Sequence, residues 1–120
     1  MPREQDLLPL KDLVFRILVA LADGERHGWA LMEQLNEHGG TKVLPGHLYR
    51  TLDRMLHDRL IEERDEPSAP PTPTPGKRGT APRRFMRLTP FGCDVTRAET
   101  RRLQSLIERS RAGKVLRQRR

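Results

Sequence analysis

Cationic and hydrogen-bonding side chains recur on one short stretch of this sequence, LPGHLYRTLDRMLHDRLIEE, which spans residues 44–63. In a helix over about residues 47–58, the step of about 100° per residue places four apolar side chains on one side: Leu48, Leu52, Met55 and Leu56. The opposite side carries His47, Arg50, Arg54 and His57. Such groups could donate hydrogen bonds to base edges in the major groove of DNA, which admits an α helix. The alternative is an ordinary solvated face, since every amphipathic helix has a polar side.

Other kinds of chemistry find little support in the sequence. No nucleophile is paired with a recognisable base, and no glycine-rich phosphate loop is present, so we expect no enzymatic activity. The four histidines form no close-spaced ligand pair and Cys93 is the single cysteine, so we expect no metal site and no obligatory cofactor. A small buried side chain explains Cys93 as well as a redox role does.

The positive charge is concentrated in two parts of the chain. The formal net charge is +7, and the segments 76–87 and 97–120 together hold 14 of the 23 Lys and Arg residues but only two acids. This asymmetry favours an oriented surface for a polyanion, most commonly nucleic acid and less commonly an anionic membrane. For residues 97–120 taken alone, a basic tail that only aids solubility is the alternative.

Length and hydropathy indicate a single domain outside the membrane. A chain of 120 residues can bury one modest hydrophobic core. A mean hydropathy of −0.72 without any long apolar run argues against a transmembrane span. The N-terminal residues include acids and no small-residue cleavage site, and one cysteine cannot form an intrachain disulfide, so we expect a cytoplasmic location.

Hydrophobic periodicity predicts three short helices followed by a β-hairpin. Apolar residues at offsets of three and four predict helices over residues 12–22 and about 28–38, ahead of the one at about 47–58. The segments LIEERDE and RRFMRLT are predicted to pair as strands, with Met86 and Leu88 pointing inward. The Pro-rich segment between them, about residues 66–82, is predicted to be a mobile loop.

Three helices and a hairpin with a basic tip form the layout of a winged helix-turn-helix domain. The predicted fold class is therefore mainly α with a small β-hairpin (α+β), with this domain over residues 1–89 and its wing over about 60–89. In this layout the third helix reads the major groove, while the wing touches phosphates or enters the minor groove. The predicted wing contacts are Lys77, Arg78, Arg83 and Arg84.

The motif LTPFG, residues 88–92, predicts the start of a fourth helix. Thr89 suits the N-cap, Pro90 suits the first helical position, and the helix is expected to run to about residue 112, before a glycine. An apolar band along it predicts dimerisation through Phe91, Val95, Leu103, Leu106 and Ile107. We interpret residues 90–120 as a dimerisation helix with a basic tail. The alternative is a helix that folds back on its own domain.

Three segments in this order, DGERHGWAL, PGHLYRTLDRM and RLTPFG, resemble the PadR family of transcriptional regulators over about residues 13–112. The resemblance implies a winged-helix repressor that forms a homodimer through its C-terminal helix and acts at an inverted repeat. It also implies DNA contacts from Tyr49, Arg50 and Arg54, with His47 and Thr51 next. For Tyr49 a purely structural role has equal weight, because the ring lies at the edge of the apolar side.

Two departures from the family pattern bear on this interpretation. Arg59 stands where the family usually has glycine, so either Arg59 adopts a strained conformation or the turn differs. The Pro-rich loop is longer than usual, so the resemblance does not indicate which of Lys77 and Arg78 reaches DNA. We therefore expect a sequence-specific regulator of transcription that binds double-stranded DNA as a homodimer, with any small-molecule effector left open. The alternative is nonspecific binding to RNA or an anionic surface, although aromatic-rich strands for base stacking are missing.

Overall fold

The computed structural model describes residues 3–37, 42–64 and 85–113. These ranges contain a short 3-10 helix, Glu4–Leu7, and four α helices: α1 (Asp12–Ala22), α2 (Gly28–Glu37), α3 (Pro45–His57) and α4 (Pro90–Ala112). They also contain three strands: β1 (Arg26–His27), β2 (Ile61–Arg64) and β3 (Phe85–Leu88). The Pro-rich loop, the tail after Gly113 and four predicted wing contacts lie outside the described residues: Lys77, Arg78, Arg83 and Arg84.

The predicted fold class, mainly α with a small β-hairpin, is confirmed. Helix α1 has the predicted bounds, and α4 ends at Ala112 as expected. Helix α3 begins two residues earlier than predicted, at Pro45. Proline suits this first helical position because its missing amide hydrogen would have no partner inside the helix.

The sheet has one more strand than the predicted two-stranded hairpin. Strand β3 lies in the middle, antiparallel to both neighbours, and pairs Met86 with Arg26 of β1 and Leu88 with Ile61 of β2. The two-residue strand β1 was not predicted, because a period of two cannot be recognised in so short a segment. It joins the turn between α1 and α2 to the base of the wing.

The hydrophobic core is built around α1, which contacts α2, α3, α4 and β3. Its fully buried side chains come from every layer of the fold, with Ile17 and Leu18 from α1 at the centre. The other apolar ones are Leu31 from α2, Leu48, Leu52 and Met55 from α3, Ile61 and Met86 from the sheet, and Val95 from α4. Burial of this apolar surface is the main force that holds the polar side of α3 toward solvent.

Helix α3 ends in a Schellman motif whose left-handed residue is Arg59. The amide of Leu60 donates to the carbonyl of Met55 over 3.0 Å, and the amide of Arg59 donates to the carbonyl of Leu56 over 3.1 Å. Arg59 has φ of 63°, a conformation that glycine usually supplies at this position. Of the two alternatives drawn from the sequence, the structure has the strained one.

Replacing Arg59 by glycine is expected to raise the free energy of unfolding by about 1 kcal/mol. Glycine adopts the left-handed conformation without the clash between Cβ and carbonyl oxygen, and this gain exceeds its extra entropy in the unfolded chain. Urea denaturation of the two proteins measures the difference. The matched control is Arg59→Ala, which shortens the side chain but keeps Cβ. An equal gain in both variants would show that the long side chain, and not the backbone, is the source.

The first turn of α4 is hydrogen-bonded to the turn that follows α3. Thr89 caps α4 as predicted, because its hydroxyl oxygen accepts a hydrogen bond from the amide of Gly92 over 2.9 Å. The Thr89 hydroxyl donates to the carbonyl of Arg59 over 2.6 Å, and the Thr89 amide donates to the carbonyl of Leu60 over 3.1 Å. A Cβ at Gly92 would lie 2.0 Å from that same Leu60 oxygen. We call these four residues the α3–α4 junction: Arg59, Leu60, Thr89 and Gly92.

A buried carboxylate fixes the middle of α4 to the N-terminal segment. Glu99 is 1% exposed and is the one charged residue in the described part of the chain that is buried. It accepts hydrogen bonds from Arg102 Nε over 2.6 Å, from Arg102 Nη2 over 3.0 Å and from the Leu10 amide over 3.0 Å. The hydrogen bond from Arg102 lowers the pKa of the Glu99 carboxyl, against the opposing effect of burial.

Candidate nucleic-acid interface

Helix α3 has one side in the core and the other in solvent, as the sequence predicts. Leu48, Leu52 and Met55 are buried. His47, Arg50 and Arg54 are exposed on the opposite side. The polar side is therefore held in a fixed orientation by the packing of the apolar side, which is what a helix that reads a groove requires.

Tyr49 lies at the edge of the apolar side of α3, where its ring packs against α2. Its ring is half-buried and packs against the core. A Cβ added to Gly28, the first residue of α2, would lie only 2.6 Å from the Tyr49 hydroxyl oxygen. This close approach gives Tyr49 a packing role and explains why the sequence has glycine before Trp29. A DNA contact from Tyr49 remains a prediction.

Two other predicted contact residues interact with groups of α3 and its C-cap residue. The Thr51 hydroxyl donates to the carbonyl of His47 over 2.8 Å, so a contact with DNA would use its lone pairs or exchange this bond. Arg54 Nε lies 3.6 Å from a carboxylate oxygen of Asp58. Ion pairs as exposed as this one are weak, so the Arg54 guanidinium stays available to a phosphate or base.

The polar side of α3 is one wall of a shallow open groove, and the opposite wall is the start of α1 with the segment before α3. Among the described residues, one carboxylate lines it, that of Asp12, against five Lys or Arg side chains: Lys11, Arg16, Lys42, Arg50 and Arg54. We call it the basic groove. The side chains that give it its character are Lys11, Lys42, His47, Arg50, Thr51 and Arg54. Its excess of positive charge beside α3 would attract a polyanion.

The cationic side chains at the described base of the wing are neutralised within the protein. Arg87 Nε lies 2.5 Å from Glu62 Oε2, and Arg87 Nη1 lies 3.5 Å from Glu25 Oε2. Arg64 Nη2 lies 3.3 Å from the other oxygen of Glu25. The hydrogen bond to Glu62 raises the pKa of Arg87. These four residues link β2 and β3 to the turn before β1. Arg87 therefore stabilises the base of the wing, even though it belongs to the basic segment 76–87.

The five predicted dimerisation residues divide between the core and the surface. Val95 is fully buried among core residues of the same chain, so we reassign it from the dimer contact to the core. Phe91 is half-buried against the core and Leu103 is half-buried farther along α4. Leu106 and Ile107 remain 43% and 49% exposed on the last turns of the helix. The first half of α4 therefore packs on its own domain, and the apolar surface left for a partner lies on the second half.

The described ranges contain neither a group of metal-ligating side chains nor a membrane-spanning helix. No group of three His, Cys, Asp or Glu side chains in residues 3–37, 42–64 and 85–113 is placed to hold a metal ion. None of the helices in those ranges combines the length and the apolar character needed to cross a bilayer.

The family model described as "Transcriptional regulator PadR-like family" matches residues 17–98, about two thirds of the chain. This chain belongs to the PadR-like family. The matched region runs from the middle of α1 through the α3–α4 junction to the middle of α4, so it contains the α3 wall of the basic groove and Lys42, whereas the α1 residues that line the groove lie before it. No curated protein matches the PadR-like chain at a significant level.

Solved structures with the same fold include other members of the family. A PadR family transcription regulator from a hypervirulent Clostridium difficile has a TM-score of 0.68 at 17% identity, over 85% of this chain and 97% of that one. RosR of H. salinarum has a TM-score of 0.62 at 26% identity, over 93% of this chain and 87% of that one. A MarR mutant from E. coli, complexed with operator DNA, has a TM-score of 0.58 at 20% identity, over 78% of this chain and 56% of that one.

Two lysines of the basic groove in this PadR-like chain were missed by the sequence analysis. Lys11 precedes α1 and Lys42 precedes α3, and only the tertiary fold places both in the groove with Arg50. Each is an isolated cation in a sequence in which about a third of the residues are charged. The one available signal is their position just before a helix, and that signal is too common to single them out.

Proposed function

We propose that this PadR-like protein is a transcriptional repressor that binds double-stranded DNA as a homodimer at a palindromic operator. The observation that supports this most is the exposed polar side of α3, which forms one wall of the basic groove while its apolar side is fixed in the core. Family membership supports a role in transcriptional regulation. Repression, dimerisation and the palindrome are our inferences.

In the proposed complex α3 enters the major groove, and the wall of the basic groove opposite α3 faces the sugar-phosphate backbone. Arg50 and Arg54 contact base edges, and Lys11 and Lys42 contact phosphates and so fix the register of the protein on the duplex. The predicted wing contacts, Lys77, Arg78, Arg83 and Arg84, would reach the neighbouring groove. The structurally similar MarR mutant was solved in complex with operator DNA, which supports DNA binding by this fold.

The proposed dimer forms through the second half of α4. Leu106 and Ile107 expose apolar surface to solvent, and burial against the same helix of a second copy would remove it. With 23 residues, α4 is about 35 Å long, long enough to extend past its own domain. Size-exclusion chromatography with light scattering at micromolar concentration tests the dimer, and a monomer mass would overturn it.

The experiment that tests the DNA-binding proposal is selection of duplexes from a random pool, followed by fluorescence anisotropy across a salt series. We expect enriched sequences with an inverted repeat, and tight binding near physiological salt with a large preference over a scrambled duplex. Equal binding to both duplexes that disappears as salt rises would leave only nonspecific phosphate contacts. That outcome would favour the RNA or anionic-surface alternative.

Replacing Arg50 by alanine is expected to weaken binding to the selected duplex by about 1–3 kcal/mol, because a bidentate contact with a base edge is lost. Affinity for the scrambled duplex should fall much less, so the preference between the two is the informative quantity. The matched control is Arg97→Ala, which removes an exposed arginine of α4 that pairs with Asp94 over 3.2 Å. Full specific binding by the Arg50 variant would remove Arg50 from the interface.

A further inference from the structure

Leu44, immediately before α3, is the most exposed large apolar side chain in the described part of the chain, at 61%. Its backbone is nevertheless held firmly. The neighbouring Val43 is buried, its amide donates to Asn36 Oδ1 over 2.7 Å, and its carbonyl accepts from Asn36 Nδ2 over 3.2 Å. The Leu44 carbonyl accepts the first hydrogen bond of α3, from the amide of Leu48 over 2.9 Å. An apolar side chain is therefore presented to solvent from a fixed position.

The stability of α3 does not explain a leucine at this position. Leu44 is the N-cap residue, and its side chain makes no capping hydrogen bond. Serine, threonine, asparagine or aspartate would accept a hydrogen bond from a free amide of the first turn, and leucine is among the poorest N-cap residues. The exposed apolar surface adds a further cost in water. Leucine at this position therefore makes the start of α3 less stable than a capping residue would.

The residues around Leu44 indicate which chemical group its side chain would contact. It follows Lys42 and Val43 and precedes His47, and all three line the basic groove. The N-terminal residues of a helix in the major groove are those that contact base edges. In that groove the C5-methyl of thymine is the apolar group that the bases present. Contact with phosphates or polar base edges would not give an isobutyl side chain a comparable gain in free energy.

We propose that Leu44 is a specificity-determining residue that packs against the C5-methyl of a thymine in each half-site. The inference rests on the proposed function, in which α3 occupies the major groove. It assigns to the chain a base preference that no hydrogen-bonding residue of α3 supplies. Asn36 is a positioning residue for this contact, since it holds the backbone before Leu44.

The test uses the duplex that the wild-type protein selects from a random pool, with thymine replaced by deoxyuridine at one position at a time. Wild-type affinity should fall about fourfold for each half-site at one thymine position, the effect of losing one buried methyl group. Leu44→Ser should lose this methyl dependence, whereas Leu44→Met, which keeps an apolar side chain of similar reach, should retain it. Leu44→Ser should also raise Tm by about 4 °C, because serine caps α3.

The outcomes separate this inference from the proposal on which it depends. Loss of the methyl dependence together with a higher Tm in Leu44→Ser would support the contact, since general destabilisation of the fold would lower Tm as well as affinity. Methyl dependence that persists in Leu44→Ser, or a wild-type protein indifferent to every thymine methyl, would overturn it and leave the DNA-binding proposal standing. If the pool yields no enriched sequence, the proposed function fails and this inference fails with it.

Discussion

Replacing Gly92 by alanine is expected to lower the free energy of unfolding by about 3 kcal/mol. The added Cβ would lie 2.0 Å from the carbonyl oxygen of Leu60, far inside any contact distance. That oxygen accepts from the amide of Thr89 and belongs to backbone that no rotamer change can move. The clash can be relieved only if α4 shifts away from the turn after α3, which would also strain the Thr89 cap. Urea denaturation followed by circular dichroism measures the effect.

The matched control for this prediction is Gly46→Ala, in the first turn of α3. A Cβ there would lie 3.5 Å from Arg50 Nη1, the flexible end of a side chain. Alanine should therefore change the free energy of unfolding by no more than about 1 kcal/mol, in the stabilising direction. A Gly92 variant as stable as the Gly46 variant would mean that the start of α4 can move freely relative to Leu60.

Replacing Glu99 by glutamine is expected to destabilise the protein by roughly 2–3 kcal/mol at pH 7. Glutamine has nearly the same shape and keeps an oxygen for the amide of Leu10. It cannot offer two anionic oxygens to Arg102, whose Nε and Nη2 both donate to this carboxylate. The control is Glu108→Gln, which removes an exposed carboxylate from the same helix and should change stability by less than about 0.5 kcal/mol.

The same carboxylate makes stability depend on pH in a defined direction. The pKa of Glu99 is lowered in the folded state from its ordinary value of 4.5, chiefly by the hydrogen bond from Arg102. Its stabilising contribution is therefore fully present above pH 4.5 and is lost as pH falls through the lower, folded-state pKa. Urea denaturation at a series of pH values from 7 downward should show a steeper acid loss in the wild type than in Glu99→Gln. Parallel curves would show that Glu99 is not coupled to folding.

Features of the fold that depend on neighbouring residues could be predicted from the sequence, and features that depend on distant ones could not. The bounds of α1 and the Thr89 cap follow from local periodicity and capping chemistry. The burial of Glu99 depends on the Leu10 amide, 89 positions away along the chain, and in sequence it has the pattern of a surface residue. For Arg59 the sequence left two conformations open, and the contacts that select between them come from Met55 and Thr89.

The candidate site follows the same division. The outward direction of Arg50 and Arg54 could be predicted because one helix carries both the buried residues and the exposed ones. Lys11 and Lys42 could not, because their place in the basic groove depends on how α1 packs beside α3. The reassignment of Val95 has a similar cause. Its apolar character predicts burial, but only the packing of α4 against α1 decides whether the burying surface belongs to the same chain or to a second one.

The α3–α4 junction links these two helices through backbone hydrogen bonds. Leu60 is bonded to the end of α3 through its amide and to the start of α4 through its carbonyl, and Gly92 leaves no gap between α4 and that carbonyl. We therefore expect a rotation of α4 to carry α3 with it. In the proposed dimer, the separation of the two recognition helices is set at Leu106 and Ile107, on the end of α4 away from the junction. The spacing of half-sites that the protein accepts would then be encoded in its subunit contact, at residues that never touch DNA.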